Sequence, residues 1–300
     1  MAGLVPFYKN VQSHYDLSDD FFALFLDRTR TYSCAYFARE DMTLEEAELA
    51  KIDLALGKCD LKPGMTLLDV GCGWGSTLLR AVENYDVNVI GLTLSHNQQG
   101  YASDLLDERT NTARSAEVRL AGWEEFNEPV DRIVSIGAFE HFRRERYAAF
   151  FDTCRNILPA DGRMLLHSIV GFSRHELRAR GLPINRSFLE FGRFILDEIF
   201  PGGQLPEPKW VIDYATDAGF RVERIQSLQP HYARTLDCWS KALQSNHTRA
   251  AKITSEQTYQ TYLKYLTGCA ELFRKGYVDV MQFSIAKPEG PAALRRPLRP

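Results

Sequence analysis

Leu67-Leu68-Asp69-Val70-Gly71-Cys72-Gly73-Trp74-Gly75 fixes the fold class of this chain. An apolar, strand-like run passes through closely spaced glycines into a helix-forming stretch. Glycine there lets the backbone turn sharply and lets a ligand lie against bare amides. A dinucleotide site asks for GxGxxG with a pyrophosphate at the helix N-terminus. Here the spacing is GxGxG, and Asp69 stands two residues ahead of it. An acid at that point suits a cofactor with an ammonium and a sulfonium, not one with two phosphates, so the motif reads as an S-adenosylmethionine site. The next strand ends Gly91-Leu92-Thr93-Leu94-Ser95, with no acid for a ribose, which argues further against a nicotinamide cofactor. The alternative is that the glycines only make a tight turn.

Outward from this motif, β-rich runs alternate with helical stretches. Strands are expected at 66–70, 87–92, 117–120, 131–136 and 163–170, with a further pair at 220–228 and 279–286. That rhythm predicts an α/β fold with a mostly parallel seven-stranded sheet covered on both faces. Upstream, Ser18 is placed to cap a helix carrying Leu17, Phe21, Phe22, Leu24, Phe25 and Leu26, and Thr43-Leu-Glu-Glu46 fits a capping box opening a helix to about Lys58. Residues 171–219 and 229–277 break the alternation and read as helical additions that cover a substrate. The expected organisation is one domain over 1–287: an N-terminal helical segment (1–60), a cofactor-binding core (61–170), a helical insertion (171–219) and the rest of the core with a helical excursion (220–287). Residues 288–300, rich in Pro and Arg, read as a disordered tail.

Composition narrows the classes of function. The 300 residues are 45% apolar and 25% charged, enough for a sizeable core, and the net charge of −3 implies no polyanion-binding surface, so nucleic acid is a poor first guess. Six cysteines without a CxxC pair suggest reduced thiols in a cytoplasmic protein and no structural zinc or other metal. No leader pattern and no run of about 18 apolar residues is present. Contact with a membrane face stays open.

Residues at the carboxyl ends of the predicted strands are the natural ligand contacts: Thr93, Leu94, Gln98, Trp123, Glu124 and Ile136. Trp123-Glu124 offers an apolar wall and an acceptor, a pair that suits adenine. After the fourth strand, Glu140 beside His141 is a candidate acid–base group; a capped helix start is the plainer reading. His167 lies within the apolar run LLHSI, where a satisfied core histidine is the ordinary outcome. Tyr232 reads equally as a surface aromatic, and Cys34 and Cys269 as plain core.

At this point the chain resembles the mycolic acid cyclopropane synthases, the mycobacterial branch of the cyclopropane-fatty-acid synthase family. HYDLSDDFF, RTYSCAYF, DMTLEEA, LLDVGCGWG, DVNVIGLTLS, EPVDRIVSIGAFEHF, EIFPGG, QSLQPHYARTLD and YLTGCAELFR carry the resemblance over roughly residues 10–286. It implies the class I, Rossmann-like S-adenosylmethionine-dependent methyltransferase fold. It implies cofactor contacts at Tyr32, Ser33, Gly71, Cys72, Gly73, Thr93, Leu94, Gln98, Trp123, Glu124 and Ile136. It also implies a bicarbonate held by Cys34, Glu140, His167 and Tyr232, with backbone help near Ile169. Cys269 matches a cysteine sometimes assigned as catalytic, although a thiolate there would compete for the methyl group. The substrate implied is a long unsaturated acyl chain presented on an acyl carrier protein.

The implied chemistry places a methyl group on an alkene carbon, leaving a cation that closes to a ring when the new methyl loses a proton. Such a site must be dry and must hold a base. Three rivals remain open. A family member that admits water would give a methyl-branched alcohol; the hydroxylating relatives are associated with Glu where this chain has Gly137. The others are a nicotinamide oxidoreductase and a non-catalytic lipid- or carrier-binding protein.

Overall fold

The structure, a computed structural model, describes residues 4–8, 18–109 and 113–288. Leu17 and the tail from residue 289 onward lie outside the described residues. Seven strands form one sheet: β1 (Thr66–Val70), β2 (Asn88–Thr93), β3 (Ala116–Leu120), β4 (Arg132–Ile136), β5 (Arg163–Gly171), β6 (Arg221–Ser227) and β7 (Val278–Ala286). Their order is β3-β2-β1-β4-β5-β7-β6. The first five pair in parallel, and β7 runs antiparallel to both β5 and β6. β1 is buried along nearly its whole length, so it reads as a continuous run, not an alternation. The strand order reverses between β1 and β4, and a ligand crevice is expected there, at the carboxyl ends.

Short and long helices complete the chain in sequence order. They are α1 (Asp19–Phe22), α2 (Leu44–Leu56), α3 (Ser76–Tyr85), α4 (His96–Arg109), α5 (Tyr147–Ile157), α6 (Arg174–Ala179), α7 (Arg186–Phe194), α8 (Pro208–Asp217), α9 (Gln229–Ser245), α10 (His247–Ile253) and α11 (Glu256–Lys275). The capping box of α2 is complete: the Glu46 N–H donates to Thr43 Oγ1, and Glu46 Oε2 accepts from the Thr43 N–H at 2.8 Å. After α7 the chain widens into a π turn, Ile195–Ile199.

The helix expected after Ser18 needs correction. Ser18 does cap Phe21, but α1 is a single turn. The run Phe21, Phe22, Leu24, Phe25 and Leu26 has no polar face, and all five side chains are buried. They insert into a cluster with Tyr32, Trp239 and Tyr262, so packing in several directions prevails over a regular helix. Asp27 then closes the segment by accepting from the N–H groups of Thr29 and Thr31. This aromatic cluster, built from the N-terminal segment, α9 and α11, lies over the carboxyl ends of the strands and forms one wall of the site.

Candidate active site

The turn after β1 takes three left-handed glycines in succession at alternate positions: Gly71 (φ +85°), Gly73 (φ +56°) and Gly75 (φ +88°). A Cβ on Gly71 would stand 2.4 Å from the Cβ of Ala138, so this turn and the turn after β4 touch backbone to side chain. A Cβ on Gly73 would meet nothing within 4 Å, because that amide faces an open cleft.

That cleft has a volume of about 990 Å³. Tyr32, Ser33, Asp69, Gly71, Cys72, Gly73, Thr93, Leu94, Gln98, Trp123, Glu124 and Ile136 all line it, which gathers every expected cofactor contact in one place. Asp69 is buried, and its Oδ1 has no hydrogen-bond partner among the described residues. Burial pushes its carboxyl up to about 7, against the pull of the Lys51 ammonium. A buried acid with an orphaned oxygen fits a cationic ligand group. Thr93 donates to Gln98 Oε1 at 2.8 Å and fixes that amide. Trp123 packs against Phe142 and Phe150 and leaves its indole N–H without a partner among the described residues. Arg146 pairs with Glu124 at 2.9 Å. These features fit S-adenosylmethionine: an acid for its ammonium, bare amides at the turn, and an apolar wall with an acceptor for adenine.

A second, more apolar cavity of about 1490 Å³ adjoins the first. Cys34, Glu140, His167, Tyr232 and Cys269 all line it, so the five residues expected to carry chemistry also come together. Tyr32, Ser33, Gly137 and His141 line both cavities and mark their junction. Beyond the polar end, Phe188, Ile195, Leu196, Phe200 and Leu205 make the walls apolar.

Glu140 sits in the one-turn helix Phe139–His141 that follows β4. Ile169 donates its N–H to Glu140 Oε1 at 2.6 Å, while Oε2 has no partner among the described residues. Burial raises the Glu140 carboxyl to about 7, although the Ile169 N–H opposes the shift. His167, in mid-β5, is buried, and desolvation drives its pKa well down, so the ring is neutral. It is no plain core histidine, since it borders the cavity and Gln282 Nε2 lies 3.3 Å from its Nδ1. The same effect lowers His141 to about 4. Tyr232 remains a phenol, its pKa pushed far up by burial. Cys34 is fully buried, with Sγ near the carbonyls of Ala35 and Leu228. The Cys269 thiol is pushed up to about 12, a thiol and not a thiolate at neutral pH.

Two features were missed by sequence reasoning. Lys51, fully buried on α2, lines the cofactor cleft, donates to Ser33 Oγ at 2.5 Å and lies 3.4 Å from the buried Glu48. A signal was present: Glu48 and Lys51 stand among Ala47, Ile52, Ala55 and Leu56, the buried stripe of that helix. The second is the segment around Phe7, which lines the cleft with Arg146 stacked over its ring at 3.7 Å. No periodicity announces that contact, because it joins residues far apart in the chain.

A mostly parallel sheet of this order, with an acid near the end of its first strand and a glycine turn after it, defines a class I S-adenosylmethionine-dependent methyltransferase. Comparison with known proteins narrows the class. Residues 4–283 match the family described as mycolic acid cyclopropane synthetase. Cyclopropane mycolic acid synthase 1 of Mycobacterium tuberculosis is 63% identical over 284 residues, covering 95% of this chain and 99% of that protein. The structure of the cyclopropane synthase MmaA2 from the same organism superposes with a TM-score of 0.94 at 60% identity, covering 95% of this chain and 99% of that one. Mycolic acid cyclopropane synthase CmaA1 complexed with SAH and CTAB gives 0.92 at 62% identity and the same coverage. Coclaurine N-methyltransferase, at 22% identity and a TM-score of 0.74, shares the fold. This chain belongs to the mycolic acid cyclopropane synthetase family.

Proposed function

We propose that this enzyme adds a methylene group to a carbon–carbon double bond of a long unsaturated acyl chain, a mycolic acid precursor, and closes a cyclopropane ring. The observation that carries the reading is the junction of two unlike cavities: a polar one fitted to the cofactor opens at Tyr32, Ser33, Gly137 and His141 onto an apolar one. A relative at 62% identity is complexed with SAH and CTAB, which supports the cofactor. S-adenosylmethionine supplies an electrophilic methyl carbon, and bicarbonate a proton acceptor. Everything else falls to the chain.

The apolar walls exclude water, which would otherwise trap the substrate cation as an alcohol. Tyr32, Tyr232 and Tyr265 place π-rich faces around the same space. The polar end presents a neutral histidine, a phenol and a thiol as donors, together with the free oxygen of Glu140 as acceptor. That set matches an anion with one proton of its own: the donors hold its oxygens, and Glu140 orients its O–H. Gly137 contributes no side chain to retain a water at the junction, so ring closure is favoured over hydroxylation. We further place the enzyme in the cytoplasm, receiving its acyl chain from an acyl carrier protein with peripheral contact to a membrane face. No helix among the described residues is long and apolar enough to cross a membrane.

The test is mass spectrometry of products from purified enzyme, S-adenosylmethionine and a carrier-bound unsaturated acyl chain. Ring formation adds one CH2 per double bond consumed. Added elements of water would overturn the reading in favour of hydroxylation. Tyr232→Phe is expected to weaken turnover, with partial rescue by added bicarbonate. Full activity in bicarbonate-free buffer removes the proposed base.

A further inference from the structure

His167, Gln282 and Gln226 lie side by side on three neighbouring strands: His167 of β5 is the register partner of Gln282 on β7, which is in turn the partner of Gln226 on β6. Lys58, just past the end of α2, reaches across this row. Its Nζ donates to Gln282 Oε1 at 2.5 Å and to Gln226 Oε1 at 2.7 Å. Gln282 is fully buried, and its Nε2 is 3.3 Å from Nδ1 of His167.

The chemistry of these groups sets a direction along the row. An ammonium only donates, so the face of the Gln282 amide turned to Lys58 must be its oxygen. The amide nitrogen then faces His167 and donates, which requires Nδ1 to be the unprotonated nitrogen. A neutral imidazole carries one proton, so that proton is on Nε2. Flipping the amide would set an NH2 group against an ammonium in a buried place, a costly arrangement.

We propose that Lys58 and Gln282 are positioning residues that lock His167 in its Nε2–H tautomer, so that the ring donates into the acyl cavity towards a bound anion. The role of that anion rests on the function proposed above; the tautomer lock does not. Lys58 also explains why a polar row is tolerated beneath the sheet, since each amide oxygen is satisfied.

The test uses full-length protein labelled with 15N-histidine. Two-bond 1H–15N correlations distinguish the ring nitrogens, because Nε2 couples to both carbon-bound ring protons; the His167→Gln variant assigns the signal. Nδ1 of His167 is expected to be unprotonated. Lys58→Met releases the amide and should give a mixed tautomer; Lys58→Arg should restore the single form. Gln282→Glu keeps a partner for Lys58 but presents an acceptor to Nδ1, and should reverse the tautomer. In Lys58→Met the bicarbonate concentration for half-maximal rate should rise roughly tenfold, with SAH affinity by calorimetry unchanged. An Nδ1–H tautomer in the parent, or an unchanged tautomer in Lys58→Met, overturns the proposal. A tautomer change without any bicarbonate dependence supports the lock and removes only the base.

Discussion

The backbone N–H of Ile169 and Oε1 of Glu140 are 2.6 Å apart, which ties the turn after β4 to the far end of β5 and leaves Oε2 without a partner among the described residues. The site's acceptor is therefore a single oriented atom. Replacing it with an amide nitrogen would put a donor where an acceptor is needed, in a place too buried for water to compensate. Glu140→Gln is expected to lower turnover by about a hundredfold or more while leaving SAH affinity near the parent value. Steady-state rates and calorimetry check it; comparable turnover in the two proteins would contradict it.

Asp69 is costly to ionise in the cofactor-free protein. Its folded pKa of about 7 exceeds the ordinary value of 3.8, because the charged form is desolvated. The sign follows from the raised value: the contribution to stability is fully present below the unfolded pKa and is lost as pH rises towards 7. Over that window it amounts to roughly 4 kcal/mol at most. Asp69→Asn should therefore flatten the fall in unfolding free energy with pH and raise the cofactor-free melting temperature at about pH 8. The same change should weaken SAH binding about tenfold or more, through loss of a charged partner. Denaturation against pH and calorimetry read the two effects separately.

Cofactor binding should itself report on Asp69. A bound ammonium favours the ionised acid, so binding below pH 7 should release up to about one proton and strengthen as pH rises towards 8. Calorimetry in buffers of different ionisation heat measures the proton count. No proton release at about pH 6 would place the ammonium elsewhere.

Cys269 lines the acyl cavity, but its thiol, pushed up to about 12, is almost wholly protonated at neutral pH. Cys269→Ser should retain turnover within about twofold of the parent, and alkylation by iodoacetamide should be slow. A loss as large as that expected for Glu140→Gln would assign the cysteine a chemical role.

Gly71 carries a different constraint. Its φ is +85°, and a Cβ would lie 2.4 Å from the Ala138 Cβ. Gly71→Ala should destabilise the fold by about 2 kcal/mol or more and abolish cofactor binding, because the turns after β1 and β4 must separate. A thermal melt and a binding isotherm decide it.

The strands were legible because most are short apolar runs bounded by turn residues, and all seven begin and end within one residue of the expected positions. α2 was legible through its capping box, where two side chains satisfy local backbone groups. The segment after Ser18 was not: its aromatics face several partners at once, and only α9 and α11 say which. Lys58 and Gln282 escaped for the same reason. Nothing local distinguishes a surface lysine from one whose ammonium is held by residues far away in the chain.

Local chemistry in the sequence determined the sheet, the glycine turn and the acid before it, because backbone conformation and strand burial depend on neighbours along the chain. The resemblance implied that Glu140, His167, Tyr232 and Cys34 act together, but only the tertiary structure decided the apolar cavity they share and the neighbour that holds His167. Those arrangements arise from register across strands and from helices packed over the sheet's carboxyl edge, where desolvation by distant residues sets each group's protonation.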